Sequence, residues 1–242
     1  MPTVLLVRHG RTTANATGVL AGRTPGVELD EVGRRQAEEA GRRTAELPVR
    51  AIVSSPLQRC RQTAQALLAA RPAPCPTATE KGLIEAGYGD WTGKALKDLA
   101  KEKLWKTVQT QPSAVRFPGG ESMTEMSARA VDAVHRWNAT LAAEHGEDAL
   151  WVAVSHGDVI KAILADALGM HLDAFQRIMV DPASISVVSY TDARPYVLRM
   201  NSTSADLAAL LAKPAKKTAR SRRSPSADAA VGGGLGAGEA PA

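Results

Sequence analysis

Leu6-Val7-Arg8-His9-Gly10-Arg11-Thr12-Thr13-Ala14-Asn15, near the start of the chain, joins the end of an apolar run to a polar turn. An apolar run over 3–7 has the length of a buried strand and stops at an Arg-His pair followed by glycine. Two later junctions repeat this form. Ala51-Ile52-Val53 runs into Ser54-Ser55-Pro56-Leu57-Gln58-Arg59, and the most apolar run, 149–154, ends in Ser155-His156-Gly157. If the three strands are parallel, their ends lie at one edge of a sheet, the carboxyl edge where open α/β sheets bind ligands. Two histidines and at least two arginines then converge on one crevice.

Between these junctions the period changes to that of helices. Residues 30–46 read as a helix, opened by Asp30 as cap with acidic residues in its first turn. Ser55-Pro56 reads as a cap with proline at the first helical position, ahead of Leu57, Cys60, Ala64, Leu67 and Leu68 at helical spacing. After Gly120, Met123, Met126, Ala130, Val134, Trp137 and Leu141 share one face of a long helix that ends near Gly146. Residues 157–168 read as a further helix, 97–112 as a cap helix, and 184–189 and 196–200 as late strands. The alternation predicts an α/β fold, a three-layer α/β/α sandwich with a mainly parallel central sheet.

Composition narrows the class. Of 242 residues, 44% are hydrophobic and 23% charged, as in ordinary globular proteins. No run approaches the about 18 apolar residues of a membrane span. The N-terminus lacks a basic region followed by a long apolar stretch, so a secretory signal is not expected. Cys60 and Cys75 have neither a disulfide framework nor metal-ligand spacing, which suits a reducing cytoplasm. The net charge of +5 is misleading, because six basic and two acidic residues follow Ala212 and carry +4 of it. That segment passes from Lys213-Pro214-Ala215-Lys216-Lys217 through Arg220-Ser221-Arg222-Arg223 to Gly232-Gly233-Gly234. It has little to bury against the entropy of ordering. The expected organisation is one domain over 1–212 and a disordered basic, then Gly/Ala-rich, tail over 213–242.

The chemistry of the crevice follows from its residue types. Guanidinium forks match phosphate oxygens and keep their charge. Histidine attacks phosphorus through a neutral nitrogen, and nearby arginines disfavour the imidazolium. A glycine after each histidine permits close backbone approach. Fixed cations can stabilise a transferring phosphoryl group without a metal, no carboxylate cluster marks a magnesium site, and no cofactor is expected. These residues alone leave either His9 or His156 as the nucleophile.

The ordered set of motifs resembles the histidine phosphatase superfamily (branch 1), the phosphoglycerate mutase-like proteins. The blocks are 6–15, Gly33-Arg34-Arg35-Gln36-Ala37, 54–64, Leu83-Ile84-Glu85 with Gly89-Asp90-Trp91-Thr92-Gly93, Pro118-Gly119-Gly120-Glu121-Ser122, and Val154-Ser155-His156-Gly157. They span about 3–200 in the family's order. The resemblance implies that His9 becomes phosphohistidine. It implies a phosphate pocket of Arg8, Arg59 and His156, assisted by Thr12, Asn15 and Gly157. Glu85 is implied as the proton donor to the leaving alcohol and later the base for water. Asp158 is its competitor, since a His-Asp pair supplies the acid in another branch, but here Gly157 separates the two.

The implied activity is a metal-independent phosphomonoesterase acting on a small phosphorylated metabolite. The alternative is phosphoglycerate mutase-type transfer, disfavoured because 97–112 lacks the arginine pair and proline run of that subfamily's insertion. The loop 22–29 departs from the family pattern and leaves the substrate open, with Arg23, Tyr88, Trp91, Lys94 and Arg116 as candidate contacts. Arg11, Arg34 and Arg61 read as solvated. Cys60 reads as a small core residue, and Ser54, Ser55 and Ser155 as capping or orienting groups. From another class comes a binding protein whose basic tail recruits an anionic partner, nucleic acid or lipid, by counterion release. A chain ending at Ala212 is expected to keep full turnover and lose only retention on nucleic acid. Loss of turnover on that truncation would move the domain boundary.

Overall fold

The computed structural model describes residues 2–203. The expected boundary at 212 and the basic tail lie outside the described residues. The first strand, β1 (Thr3–Arg8), is followed by a short helix α1 (Thr13–Thr17), α2 (Glu31–Thr44), β2 (Val49–Ser54), α3 (Gln58–Ala69) and a short β3 (Thr77–Thr79). Two small helices follow, α4 (Leu96–Leu99) and α5 (Lys103–Thr110), then α6 (Met123–His145), β4 (Leu150–Ser155), α7 (Gly157–Ala167), β5 (Ile185–Tyr190) and β6 (Pro195–Ser202).

The strands form one sheet in the order β3-β2-β4-β1-β5-β6. β1, β2, β3 and β4 are mutually parallel, while β5 and β6 add antiparallel at one end. Strands covered on both faces read as continuous apolar runs, and that is how β1 and β4 read. Val4, Leu6, Ala51, Val53, Trp151 and Ala153 face a core built with α6 and α7. Leu5, Val7, Ile52, Val152 and Val154 face a second core with Ala40 of α2 and Cys60 and Leu67 of α3. This is the expected three-layer sandwich. The methionine stripe of α6 is core, with Met123 and Met126 fully buried. No described helix is long and apolar enough to cross a membrane.

Local signals hold at most ends. Asp30 caps α2 by accepting from the Gly33 amide at 2.7 Å. Ser122 and Glu125 form a reciprocal capping box on α6. Two expectations need correction. α3 does not begin at Ser55-Pro56 but at Gln58, with Leu57 as an uncapped entry residue, because the Ser55 hydroxyl is used elsewhere, beside His156. The single cap helix over 97–112 is two pieces, α4 and α5, broken around Ala100–Glu102.

The loop after β1 is pinned by backbone contact. Gly10 and Gly33 face each other so closely that a Cβ on Gly33 would fall inside the van der Waals shell of the Arg11 carbonyl. Asp30 donates its amide to the same carbonyl at 3.1 Å. Gly33→Ala is therefore expected to lose about 2–4 kcal/mol, since a rigid backbone atom has to move. Urea unfolding checks this, and a loss within error of zero would show that the contact is slack.

Candidate active site

β1 and β4 are adjacent and parallel, in a register that sets Arg8 opposite Ser155. The next residue on each strand is a histidine, so His9 and His156 leave the sheet side by side. Their ring centroids are 5.2 Å apart at 63°. β2 flanks β4 on the other side, and α3, which follows it, swings Arg59 between the two rings. Arg59 Nε donates to His9 Nε2 at 3.2 Å, and Nη2 reaches His156 Nδ1 at 3.2 Å and the Gly22 carbonyl at 2.7 Å. Its Nη1 is buried and finds no hydrogen-bond partner among the described residues. Arg8 Nη1 donates to the Val180 carbonyl at 2.7 Å.

These contacts select the imidazole tautomers. A carbonyl only accepts, so the 2.7 Å contact with the Gly10 oxygen places a proton on His9 Nδ1. A guanidinium only donates, so His9 Nε2 presents its lone pair to Arg59. The same reasoning makes His156 Nδ1 an acceptor and leaves Nε2–H to donate to the Ser55 hydroxyl at 2.8 Å. Burial, reinforced by the Arg59 and Arg8 charges, holds the pKa of His9 well below its ordinary value. Burial and Arg59 do the same for His156. Both rings are therefore neutral over the physiological range.

Glu85 lies in the loop after a short 3-10 turn, Lys81–Leu83. It is 3% exposed, with Oε2 3.8 Å from His156 Nδ1 and Oε1 accepting from the Ala86 amide at 2.9 Å. Burial, followed by the charge of Asp158, raises its pKa to about 7 against the opposing pull of Arg59 and Arg8. The loop is clamped from outside. Arg23 Nε and Arg129 Nη2 both donate to the Glu85 carbonyl, and the Glu121 carboxylate joins the two guanidiniums.

The structure thus brings Arg8, His9, Arg59, Glu85 and His156 into one buried cluster. Gly157 is buried beside it as the first residue of α7, whose N-terminal amides begin at His156. Thr12 and Asn15 are engaged with each other in the capping box that opens α1. Of the candidate substrate contacts, Tyr88 and Trp91 are buried and Arg116 pairs with Glu125. Arg23, Lys94 and Arg116 are exposed, and Arg23, at 39%, is already tied to Glu85 and Glu121. Arg11 is corrected: it is not solvated but half-buried, with Nε on Asp30 at 2.8 Å. Cys60 packs as expected, and its thiol also lies 3.4 Å from His156 Nε2, with burial pushing its pKa up to about 12. Among the described residues, no group of three His, Cys, Asp or Glu could hold a metal ion. Ser55 orients His156, as one of its two sequence readings has it, while the roles of Glu121 and Arg129 were missed. Sequence reading also passed over a buried Asp158–Lys161 pair, though two charges three residues apart at the start of the mainly apolar α7 were a visible signal.

The fold and this cluster define an α/β protein with paired imidazoles and guanidiniums at the carboxyl edge of a parallel sheet. The chain belongs to the histidine phosphatase superfamily (branch 1), whose profile matches residues 4–203. It is 28% identical over 211 residues to phosphoserine phosphatase 1 of Hydrogenobacter thermophilus, covering 84% of this chain and 93% of that one. It is 31% identical over 192 residues to the probable phosphoglycerate mutase GpmB of Yersinia pestis, covering 78% and 86%. With the bifunctional protein Rv2228c of Mycobacterium tuberculosis it shares 32% identity over 83% of this chain, but spans only 54% of that protein. The mycobacterial glucosyl-3-phosphoglycerate phosphatase Rv2419c, solved with VO3, superposes with a TM-score of 0.73 at 26% identity, covering 83% and 99%. The family is one of enzymes that act on phosphate.

Arg59→Met removes the cation shared by both rings. The pKa of His9 is expected to rise while staying below the ordinary value, because burial remains. Imidazole nitrogen NMR across a pH series reads this, and an unmoved His9 would mean that burial alone sets its state.

Proposed function

We propose that this protein is a metal-independent phosphomonoesterase that passes the phosphoryl group of a small phosphorylated metabolite through His9, with residues 1–212 as the catalytic domain. The observation that carries the reading is the buried Arg59 fork, shared by two neutral imidazoles and with its Nη1 group unpartnered among the described residues. An unsatisfied buried donor costs free energy, and a phosphate oxygen relieves that cost.

In this reading His9 Nε2 attacks phosphorus and forms a P–N bond as the P–O bond to the alcohol breaks. Arg8 and Arg59 stabilise the charge on the equatorial oxygens, and His156 joins them in its other tautomer, with Nδ1–H donating to phosphate while the Ser55 hydroxyl donates to Nε2; the amides at the start of α7 and Asn15 and Thr12 lie beside them. Glu85 gives its proton to the departing alkoxide. The resulting carboxylate then takes a proton from water as that water attacks phosphohistidine, releasing phosphate and restoring His9. A pKa of about 7 suits a group that must be acid in one step and base in the next. Phosphatase names among the relatives support hydrolysis. A second reading, transfer to another metabolite as in a mutase, draws support from the GpmB relative and from how closed the site is, with His9 only 2% exposed.

Release of inorganic phosphate from a panel of phosphorylated metabolites, with a phosphoglycerate isomerisation assay beside it and chelator present throughout, separates the two. Hydrolysis is expected to dominate and to persist in chelator. His9→Ala is expected to abolish it in a protein that still folds, and near wild-type activity in that variant would remove the hypothesis. Glu85→Gln is expected to lower kcat by about 10²–10⁴-fold on alkyl phosphates and much less on aryl phosphates. Equal losses on both would remove its acid role.

A further inference from the structure

Behind Glu85 lies a second buried polar group that the proposed chemistry does not use. Asp158, in the first turn of α7, is fully buried, and its Oδ2 accepts the Tyr88 hydroxyl at 2.8 Å. Tyr88 is itself fully buried and stands three residues beyond Glu85 on the same loop. Asp158 Oδ1 lies 3.7 Å from Lys161 Nζ, which is 1% exposed, donates to Gln176 at 3.0 Å and sits 5.7 Å above the Phe175 ring. Every other residue of α7 except Asp166 is buried, and most are apolar.

A buried carboxylate and ammonium make a poor stabilising device. Their desolvation offsets much of their attraction, and apolar residues of similar volume commonly serve stability as well or better. Placement gives this pair another use. The Glu85 loop meets α7 at two points: the Tyr88–Asp158 hydrogen bond, and the approach of Glu85 Oε2 to His156 Nδ1, two residues before Asp158. We propose that Asp158 and Tyr88 are positioning residues for the acid: the hydrogen bond fixes the loop, and the aspartate sets a negative charge behind Glu85 so that its carboxyl enters the reaction protonated. The proposal rests on reading Glu85 as the acid.

The surrounding charges show why such a device is needed. Facing Glu85 are Arg59 and Cys60 from α3, Arg8 from β1, Tyr88 from its own loop, and His156, Asp158 and Lys161 from the start of α7. Facing Asp158 are Tyr88, Lys161, Arg8 and Glu85. The two arginines that bind phosphate also favour the ionised form of Glu85, which is useless as an acid. Burial and the Asp158 charge oppose them, and Lys161 keeps the aspartate itself from being an isolated buried anion. Phosphate affinity and acid strength are thereby set by different groups.

Asp158→Asn keeps an acceptor for Tyr88 and removes the charge. Isotope-labelled carboxyl NMR, with Glu85 assigned through Glu85→Gln, follows its titration directly, and the pH dependence of kcat/KM on an alkyl phosphate follows it in turnover. In Asp158→Asn both the Glu85 midpoint and the alkaline limb are expected to fall by about one unit or more. The double variant Asp158→Asn/Lys161→Met, which leaves no unpaired buried cation, is expected to shift in the same direction by less, because the Lys161 charge also favours ionised Glu85. Tyr88→Phe, which keeps the charge and loses the hydrogen bond, is expected to lower kcat without lowering either midpoint. An unchanged Glu85 titration in both Asp158 variants overturns the proposal, whatever the rates. A shifted titration in a protein whose wild type releases no phosphate would keep the electrostatic role and remove the phosphatase reading instead.

Discussion

The parallel pairing of β1 with β4, one register and no other, is the contact on which the site depends. With Arg8 opposite Ser155, the two histidines leave adjacent strands at the same height. A slip of one residue would turn each side chain to the opposite face and separate the rings. The register is held by the apolar residues on both faces, since Leu5 and Val7 belong to one core and Val4 and Leu6 to the other. The close approach of Gly10 to Gly33 then fixes the path of the chain just past His9. Packing far from any reacting atom thus sets a distance on which the chemistry relies.

The second constraint is electrostatic. Two guanidiniums are taken out of water here, which is unfavourable unless each finds acceptors. Arg8 finds the Val180 carbonyl and the field of Glu85, Asp181 and Asp158. Arg59 finds Gly22 and both imidazoles, and is left with a donor to spare. Burial keeps the imidazoles neutral and the same cations reinforce it, so in the proposed reaction one group of charges both favours the nucleophilic form of His9 and awaits the anion. Glu85 is the exception within that field: burial and a carboxylate behind it offset the arginines.

How much of this could be read from sequence depended on range. Strands β1 and β4 were legible because strands buried on both faces must be apolar throughout. Their ends were legible because Arg-His-Gly and Ser-His-Gly interrupt apolar runs with residue types that burial normally excludes. Asp30 acts locally, and its cap was found where expected; the Ser122–Glu125 capping box is just as local but was not read from the sequence. Ser55 was read both as a helix cap and as an orienting group, and only the second holds; its partner, His156, is 101 residues away and could not be named from the sequence. Arg11 was read as solvated for the same reason, its partner Asp30 being set by the fold of a loop. Glu85 has no periodic signal and entered only through the family resemblance. The three-residue β3, mostly exposed, had no pattern to show.

The central claim is that His9, held neutral among buried cations, makes a covalent bond to phosphorus. Rapid acid-free quenching of the enzyme with a radiolabelled phosphate ester, followed by peptide mapping, tests it most directly. The account predicts label on the His9 peptide during turnover, stable in alkali, lost in acid, and chased off as inorganic phosphate. Steady turnover with no protein-bound label at any quench time, or label on a residue other than His9, would contradict it.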